Sequence, residues 1–579
     1  MIRKQVTRYA RTTLFASALV GASLFVALSA PDVAFATIEG DQTPLSEEEI
    51  AEAIASGEIL TQDEGADTQA ISTMSSSFFD FYSGSDRIEV SAMEARAAYD
   101  KADCAILAGS NGWADALGSA GLAGILDCPI LLTEQPALND TTRQVLSDLQ
   151  VSRVVIVGGP NTISPTVEQQ LADMGLAVER VSGSDRYEVQ TNIFNTYADQ
   201  WEPGRIVIAS GEDNKFADAL SISPVLFRTK TPVFLVNGSG TLNDSQKGML
   251  RDLAAQGGFS EVVIAGGPAS VSSATESFAK SLALPSGGTV SVTRLGGDNR
   301  HQASVNIANW AVSNGILSWD GVALAMGGKP YDALCGSILQ GRRGSAMLVV
   351  SSNASDNSSV YDALRANKGA VSTLRVFGGK SSIPMTIRMD VADLFGIPYY
   401  EIPGLKVYVD AGHGMNDSNT GVYDPGACAN GYREAELNAE LANMVSDVLR
   451  TKYGVDTYVN DDGGWYKLRH AEAQALGCDL IVSIHFNANA GSGTMTLIHS
   501  ERAAARSWNL QDAIHPRLVA GTTLPDLGQR QQMVAILSGE LPATLCEVAC
   551  IDNARDMQVY QSRKSVIAEK IAEGVVTRS

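Results

Sequence analysis

At 579 residues the chain is too long for one hydrophobic core, and several domains are expected. Apolar residues make up 45% and charged residues 19%, a globular composition that excludes wholesale disorder. Forty-three basic against 65 acidic residues leave a formal charge of −22, which argues against nucleic acid and anionic lipid as partners and leaves only local basic grooves for a polymer.

The N-terminus has its own signature. Arg3, Lys4, Arg8 and Arg11 precede an uncharged apolar run from Leu14 to Ala30, and Ala34-Phe35-Ala36 supplies an A-x-A cleavage site. Residues 1–36 are expected to be a secretory signal peptide. An uncleaved anchor helix is the alternative, since the run approaches spanning length. The small residues Ala16, Ser17, Ala18, Gly21, Ala22 and Ser23 favour cleavage. No membrane contact is expected after it, and the mature chain is expected outside the cell.

Residues 37–80 hold no Lys or Arg and read as an acidic, solvated linker, with Ser46-Glu47-Glu48-Glu49 as a cap for a short helix. The seven cysteines are Cys104, Cys128, Cys335, Cys428, Cys478, Cys546 and Cys550. An odd count leaves at least one unpaired or paired between chains. Cys104 and Cys128 each start an apolar run in one region; the sequence permits a disulfide there without establishing it. Most of the seven read as small buried apolar residues.

From 81 to about 400 three motifs recur in the same order three times, about every 110 residues. Gly84-Ser85-Asp86-Arg87 returns as Gly183-Ser184-Asp185-Arg186 and, with an apparent insertion, as Gly296-Gly297-Asp298-Asn299-Arg300. Ala114-Asp115-Ala116-Leu117 returns as Ala217-Asp218-Ala219-Leu220 and Tyr331-Asp332-Ala333-Leu334. Val157-Gly158-Gly159-Pro160 returns as Ala265-Gly266-Gly267-Pro268 and Phe377-Gly378-Gly379-Lys380. The units are expected to cover 81–181, 182–293 and 294–400. Short apolar runs such as Ala105–Ala108, Pro129–Leu132 and Val154–Val157, with a helical Thr141–Leu149 between, predict α/β units with a parallel sheet, roughly flavodoxin-like. The glycine pairs read better as tight strand-to-helix turns than as a phosphate cradle, because no G-x-G-x-x-G or P-loop lysine accompanies them. Arg87, Arg186 and Arg300 fit either contacts to an anionic polymer or internal ion pairs and caps that hold the unit; the second reading is slightly ahead.

These units resemble cell wall binding repeat type 2 of Gram-positive surface proteins. The resemblance implies three tandem units that pack together and hold a protein to an anionic secondary wall polymer. The third copy departs most, with Lys380 in place of the motif Pro.

Pro403-Gly404 marks a boundary, and 404–579 is expected to be a second kind of α/β domain. An apolar strand 405–410 leads into Gly412-His413-Gly414, where glycine permits a turn that exposes the imidazole. Met415 to Tyr432 is a loop with Asp424-Pro425-Gly426 as turn chemistry. Glu434 opens a helix to Arg450, with Leu437, Leu441, Val445 and Leu449 on one face. Val455–Val459 is a strand, Leu468–Leu476 a helix of ambiguous buried face, and Asp479–Ile484 a strand delivering His485. His413, Glu434 and His485 gathered at one sheet edge suit a catalytic zinc. From the residues alone, structural histidines explain the pattern about equally well. His301, His470, His499 and His515 lack this setting.

Residues 405–579 are similar to the type 3 family of zinc-dependent N-acetylmuramoyl-L-alanine amidases. The similarity rests on Asp410-Ala411-Gly412-His413-Gly414, Glu434-Ala435-Glu436-Leu437-Asn438, Ser483-Ile484-His485-Phe486-Asn487-Ala488 and Pro542-Ala543-Thr544-Leu545-Cys546-Glu547, followed by Asn553. It implies His413, Glu434 and His485 as ligands of Zn2+, with Glu547 as the catalytic acid/base. Glu436 competes with Glu434, but the register to Leu437-Asn438 favours Glu434. Asp410 is a candidate to orient a His through its second nitrogen. The implied substrate is peptidoglycan, at the amide between N-acetylmuramic acid and L-alanine. After His485 the family's G-x-E stretch is missing at Gly493-Thr494-Met495-Thr496, and 501–527 fits loosely; Arg530 is either a contact for a peptide carboxylate or a solvated side chain. The expected protein is a secreted, wall-associated autolysin. A non-catalytic wall binder and a zinc peptidase acting on stem peptides are the alternatives.

Overall fold

The computed structural model describes residues 43–56, 58–59, 78–201, 204–488 and 490–577. The expected signal peptide and its cleavage site lie outside the described residues.

Each repeat builds a four-stranded, all-parallel sheet in one order. In the first, Ile130–Thr133, Cys104–Gly109, Arg153–Val157 and Ala177–Val181 lie side by side, so the strands run 2-1-3-4 in chain order. The second repeats this with Val233–Val236, Gly204–Ser210, Phe259–Ala265 and Ser291–Leu295. This is a flavodoxin-like order, as the alternation of apolar runs and helices predicts. The third sheet takes its fourth strand from elsewhere. Ser345–Val350, Ser318–Met326 and Leu374–Phe377 are completed by Phe79–Tyr82, which pairs with Leu374–Phe377 from the far end of the repeat region. The boundary expected at 80/81 therefore falls inside a strand. Strand periodicity shows that a segment pairs, not with what.

The rest of the expected linker is also partly ordered. Glu47–Ser56 is a helix capped as expected: the Ser46 amide donates to Glu49 (2.7 Å) and the Glu49 amide to the Ser46 hydroxyl (3.3 Å). Its Ala53, with Ile59, packs on Leu468 and Ala471 of the C-terminal domain.

The repeated Asp-Arg pairs hold the fold. Asp86, Asp185 and Asn299 each cap a helix by accepting from the two amides that lie two and three residues on. Asn299 takes the place of the Asp, and a Cβ on Gly297 would press on the backbone nitrogen of Ala303 as one on Gly183 would on that of Val189; the third copy has a substitution, not an insertion. Arg87 donates to the Ser110 carbonyl (2.8 Å) and stacks on Tyr331 of the third unit. Arg186 donates to the Gly211 carbonyl (2.6 Å) beside Trp113 of the first. Arg300 donates to the Gly327 carbonyl and to that of Asn214 in the second (3.0 Å). Each arginine thus crosses to another unit, and the three crossings close a ring. Asp115, Asp218 and Asp332 turn inward to hydroxyls of their own glycine turns, Thr162, Ser270 and Ser382.

The C-terminal sheet has six strands in the order Asp456–Asn460, Lys406–Ala411, Leu480–Asn487, Ala543–Cys550, Thr494–His499, Asp526–Gln532. The first four run parallel; Thr494–His499 is antiparallel to Ala543–Cys550. Helices Glu434–Tyr453, Ser507–Thr522 and Ala554–Val576 cover one face, and their core is continuous with that of the third repeat. Arg506 joins the two through Asp390, Asp393 (2.7 Å) and the Tyr399 hydroxyl (2.7 Å). Lys380, the residue that departs from the motif Pro, reaches Asp479 (3.1 Å) and the Gly404 carbonyl (2.9 Å). Its departure serves this junction.

Candidate metal centre and acid/base

His413 and His485 reach one sheet edge from adjacent parallel strands, Lys406–Ala411 and Leu480–Asn487. His413 has φ +67°, and a Cβ on Gly412 would stand 2.1 Å from the His485 ring, so the two imidazoles approach only because this position is glycine. Glu434 is the first residue of its helix and is buried at 5% exposure. Its Oε1 lies 3.2 Å from His413 Nε2 and 3.0 Å from His485 Nδ1, and it accepts from the Phe486 amide (3.2 Å). Its Oε2 accepts from the Ala427 amide (2.9 Å). Ligand atoms of His413, Glu434 and His485 all lie within 4.8 Å of one another. Glu436 instead pairs with Arg433 (3.1 Å) on the exposed side. Of the two competing carboxylates, Glu434 alone meets the histidines.

Two neutral imidazoles and a carboxylate suit zinc, with room left for a further ligand. The local field favours a cation. Burial pulls the His413 imidazole down, but hydrogen bonds and charge from Asp424 and Glu434 outweigh it and raise its pKa to about 10. Burial pushes Glu434 up, and the two histidines more than reverse it, holding the carboxyl well below its usual range.

Glu547 lies in Ala543–Cys550, directly opposite His485 in register. It is buried at 7% exposure, and its Oε2 has no hydrogen-bond partner. Burial, reinforced by the Glu434 charge and opposed by the histidines, pushes its pKa up to about 7. A raised carboxyl of this kind is suited to exchanging a proton near neutrality.

The Asp that meets His413 is not the candidate Asp410 but Asp424, whose Oδ2 lies 2.9 Å from His413 Nδ1. Its hydrogen bond to His413 holds the Asp424 carboxyl down to about 2. Asp410 points under the sheet edge, where Arg469 (2.8 Å) and the Ser483 hydroxyl (2.5 Å) donate to it. Arg469, buried at 2% exposure, also donates to the carbonyls of Ala411 and His413 (both 2.9 Å) and to Asp417 (2.5 Å). It pins the turn that presents His413. Asn438 of the helix donates to the Gly412 carbonyl (2.9 Å), and Asn553 caps the last helix. Arg469 and Asp417 were not singled out by sequence reasoning. A charged residue on the ambiguous face of the 468–476 segment was the available signal.

His301, His470, His499 and His515 lie away from this centre, each bonded within its own element's surroundings. Where the G-x-E acid is missing, Met495 is buried opposite Glu547. Arg530 is exposed and donates to the Leu527 carbonyl (3.0 Å).

Residues 407–577 match the family described as N-acetylmuramoyl-L-alanine amidase, and 82–168, 180–276 and 294–388 each match cell wall binding domain 2. The chain belongs to the wall-binding amidases: three cell wall binding domain 2 repeats joined to an N-acetylmuramoyl-L-alanine amidase domain. It is similar to the N-acetylmuramoyl-L-alanine amidase LytC of Bacillus subtilis, 25% identical over 498 residues, 85% of this chain and 92% of that one. It is also similar to the uncharacterized protein YqiI of B. subtilis, 31% identical over 180 residues, 30% of this chain and 83% of that one. Among solved structures, Cwp6 from Clostridium difficile covers 89% of this chain and 82% of its own, at 22% identity and a TM-score of 0.48.

Proposed function

We propose that the chain is a zinc-dependent peptidoglycan amidase, exported and held at the cell wall, that cleaves the amide between N-acetylmuramic acid and L-alanine. The observation that carries this reading is the convergence of His413, Glu434 and His485 within 4.8 Å, with Glu547 opposite His485.

His413, Glu434 and His485 hold the metal, and Glu547 serves as acid/base. Bound zinc supplies Lewis acidity, polarising a carbonyl and lowering the pKa of water toward about 7. Glu547 Oε2 takes the proton of the attacking water and returns it to the leaving alanine nitrogen, so that no charged amide anion departs. Asp424 keeps the His413 proton on Nδ1 and leaves Nε2 free to ligate. Arg469 keeps the Gly412–Gly414 turn in place through two carbonyls.

The basic residues and apolar run before Ala34-Phe35-Ala36 support export. Among the described residues no helix is long and apolar enough to cross a membrane. The three repeats support attachment to the wall, with an anionic secondary polymer as the ligand. Attachment keeps the enzyme at a high effective concentration on a substrate that does not diffuse. The motif arginines are engaged with carbonyls, so that polymer binds through other groups.

Digestion of purified peptidoglycan tests the reading. The expected products are new N-terminal alanine and free muramyl lactate, with release stopped by a chelator and restored by zinc. A different new amine marks a peptidase, and no release despite bound zinc marks a non-catalytic wall binder; either overturns the proposal.

A further inference from the structure

Cys104 is the first residue of Cys104–Gly109, and Cys128 stands two residues before Ile130–Thr133. The strands are parallel, with Ile106 opposite Ile130 and Leu107 opposite Leu131. The Ile106 amide donates to the Pro129 carbonyl (2.9 Å), so this register continues upstream. Two residues back on each side, Cys104 faces Cys128. Neighbouring strands lie about 4.8 Å apart, inside the Cα separation of about 4.4–6.8 Å that a disulfide needs. The two-residue period puts both side chains on one face of the sheet. Each thiol lies near enough to shift the other's titration, and both residues are buried.

We propose that Cys104 and Cys128 are the site of a structural disulfide that closes the first crossover of the first repeat. The oxidant is a low-molecular-weight disulfide. The Cys104 thiolate attacks one of its sulfurs, the reagent's S–S bond breaks, and one small thiol leaves. Cys128 then loses its proton and displaces the second small thiol from Cys104. Two protein thiols give up two electrons and two protons, and the reagent becomes two thiols. The direction of attack suits the pair: the contact with Cys128 lowers the Cys104 thiol, while burial pushes Cys128 well up. Because Cys128 is fully buried and Cys104 nearly so, exchange takes place while the unit is open.

The link has a place to act. It would close the crossover that carries helix Ala120–Leu126, whose Gly121 and Gly124 lie against the carbonyls of Thr231 and Phe227 in the second repeat. A Cβ on Gly124 would stand 2.1 Å from the Phe227 oxygen, so this seam tolerates little drift. Restricting the open crossover lowers the entropy that folding must remove.

The test uses the full chain, isolated without reductant and kept with oxidised and reduced glutathione just below its unfolding denaturant concentration. It is then unfolded without reductant, alkylated and cut before aspartates. Fragments 103–114 and 127–139 are expected joined, separating on reduction. Recovery of both as alkylated monomers, or of either joined to another cysteine, overturns the proposal. Reductant is expected to lower the thermal midpoint of the oxidised parent by several degrees and leave that of Cys104→Ser unmoved. A parent midpoint indifferent to reductant also overturns it.

Discussion

The repeat ring and the amidase domain use their motif residues in opposite ways. In the ring, the residues that recur three times are consumed by the fold: Asp86, Asp185 and Asn299 cap helices, and Arg87, Arg186 and Arg300 bind carbonyls and neighbouring units. In the amidase domain, residues that occur once converge on a site, and Glu547 keeps an oxygen with no partner. Recurrence therefore marks what holds each unit together, whereas the candidate site is built from polar residues that occur once and are brought together by strands and a helix start. The ring has its own exception. Glu94 is buried with both oxygens unpartnered, and the places equivalent to it, counted from the motif arginine, hold Ile193 and Ile307.

The contrast can be tested from its strongest point downward. Glu547→Gln is expected to lower turnover on peptidoglycan about 10²–10⁴-fold while zinc content and thermal midpoint stay unchanged; a variant of full rate would break the assignment. Asp424→Ala is expected to weaken zinc about 10–100-fold, read by competition with a chromophoric chelator, because His413 loses the carboxylate that fixes its tautomer. An unchanged affinity would return the orienting role to another residue.

In the ring, Glu94→Ile is expected to stabilise the protein by about 1–3 kcal/mol in denaturant unfolding, because it removes a buried polar group without a partner. Its pH dependence sharpens the point. Burial, with Asp332 adding, raises the Glu94 pKa well above the usual carboxylate range. The protonated form suits the fold, so the parent is most stable below the ordinary carboxylate pKa and loses stability as pH rises toward the raised one. The gain from Glu94→Ile should grow over that interval; a gain flat with pH would count against it.

The smallest effect lies in the amidase domain and has the opposite sign. Burial lowers the His470 pKa, and its neutral ring bonds the Ile536 carbonyl (2.8 Å) and the Leu541 amide (3.2 Å). Its contribution is complete above the ordinary histidine pKa and is lost as pH falls through the lowered one. His470→Gln should reduce the acid sensitivity of that domain's unfolding by less than about 1 kcal/mol.

Much of this was legible beforehand. His413, Glu434 and His485 stand out because each lies at the end of an apolar strand or opens a helix, but position alone leaves a metal and structural histidines about even, and the resemblance of the surrounding motifs decides between them. Parallel α/β units followed from runs separated by turns; the strand order and the fourth strand of each sheet did not. What could not be read were partners distant in sequence. Asp424 looked like turn chemistry because its bond to His413 depends on a hairpin, Gly414–Met415 with Tyr423–Asp424, that carries no apolar period. Arg469 looked like one charge on a short helix, since its acceptors come from the loop after another strand and from Asp417. Phe79–Tyr82 was divided between linker and first repeat because its partner is the last strand of the third repeat.

That last pairing sets an order of assembly. Phe79 and Leu374 lie roughly 300 residues apart in sequence, a long-range closure of the kind that slows folding. A strand that leaves the ribosome early must wait, edge unpaired, until nearly the whole ring has followed it. The first two sheets contain all their own strands and can form as the chain emerges. The third cannot, and the amidase domain shares its core with that third sheet's unit. Packing at the seam between the third repeat and the catalytic half is therefore tied to an event at the other end of the chain, although the amidase sheet, like the first two, contains all its own strands.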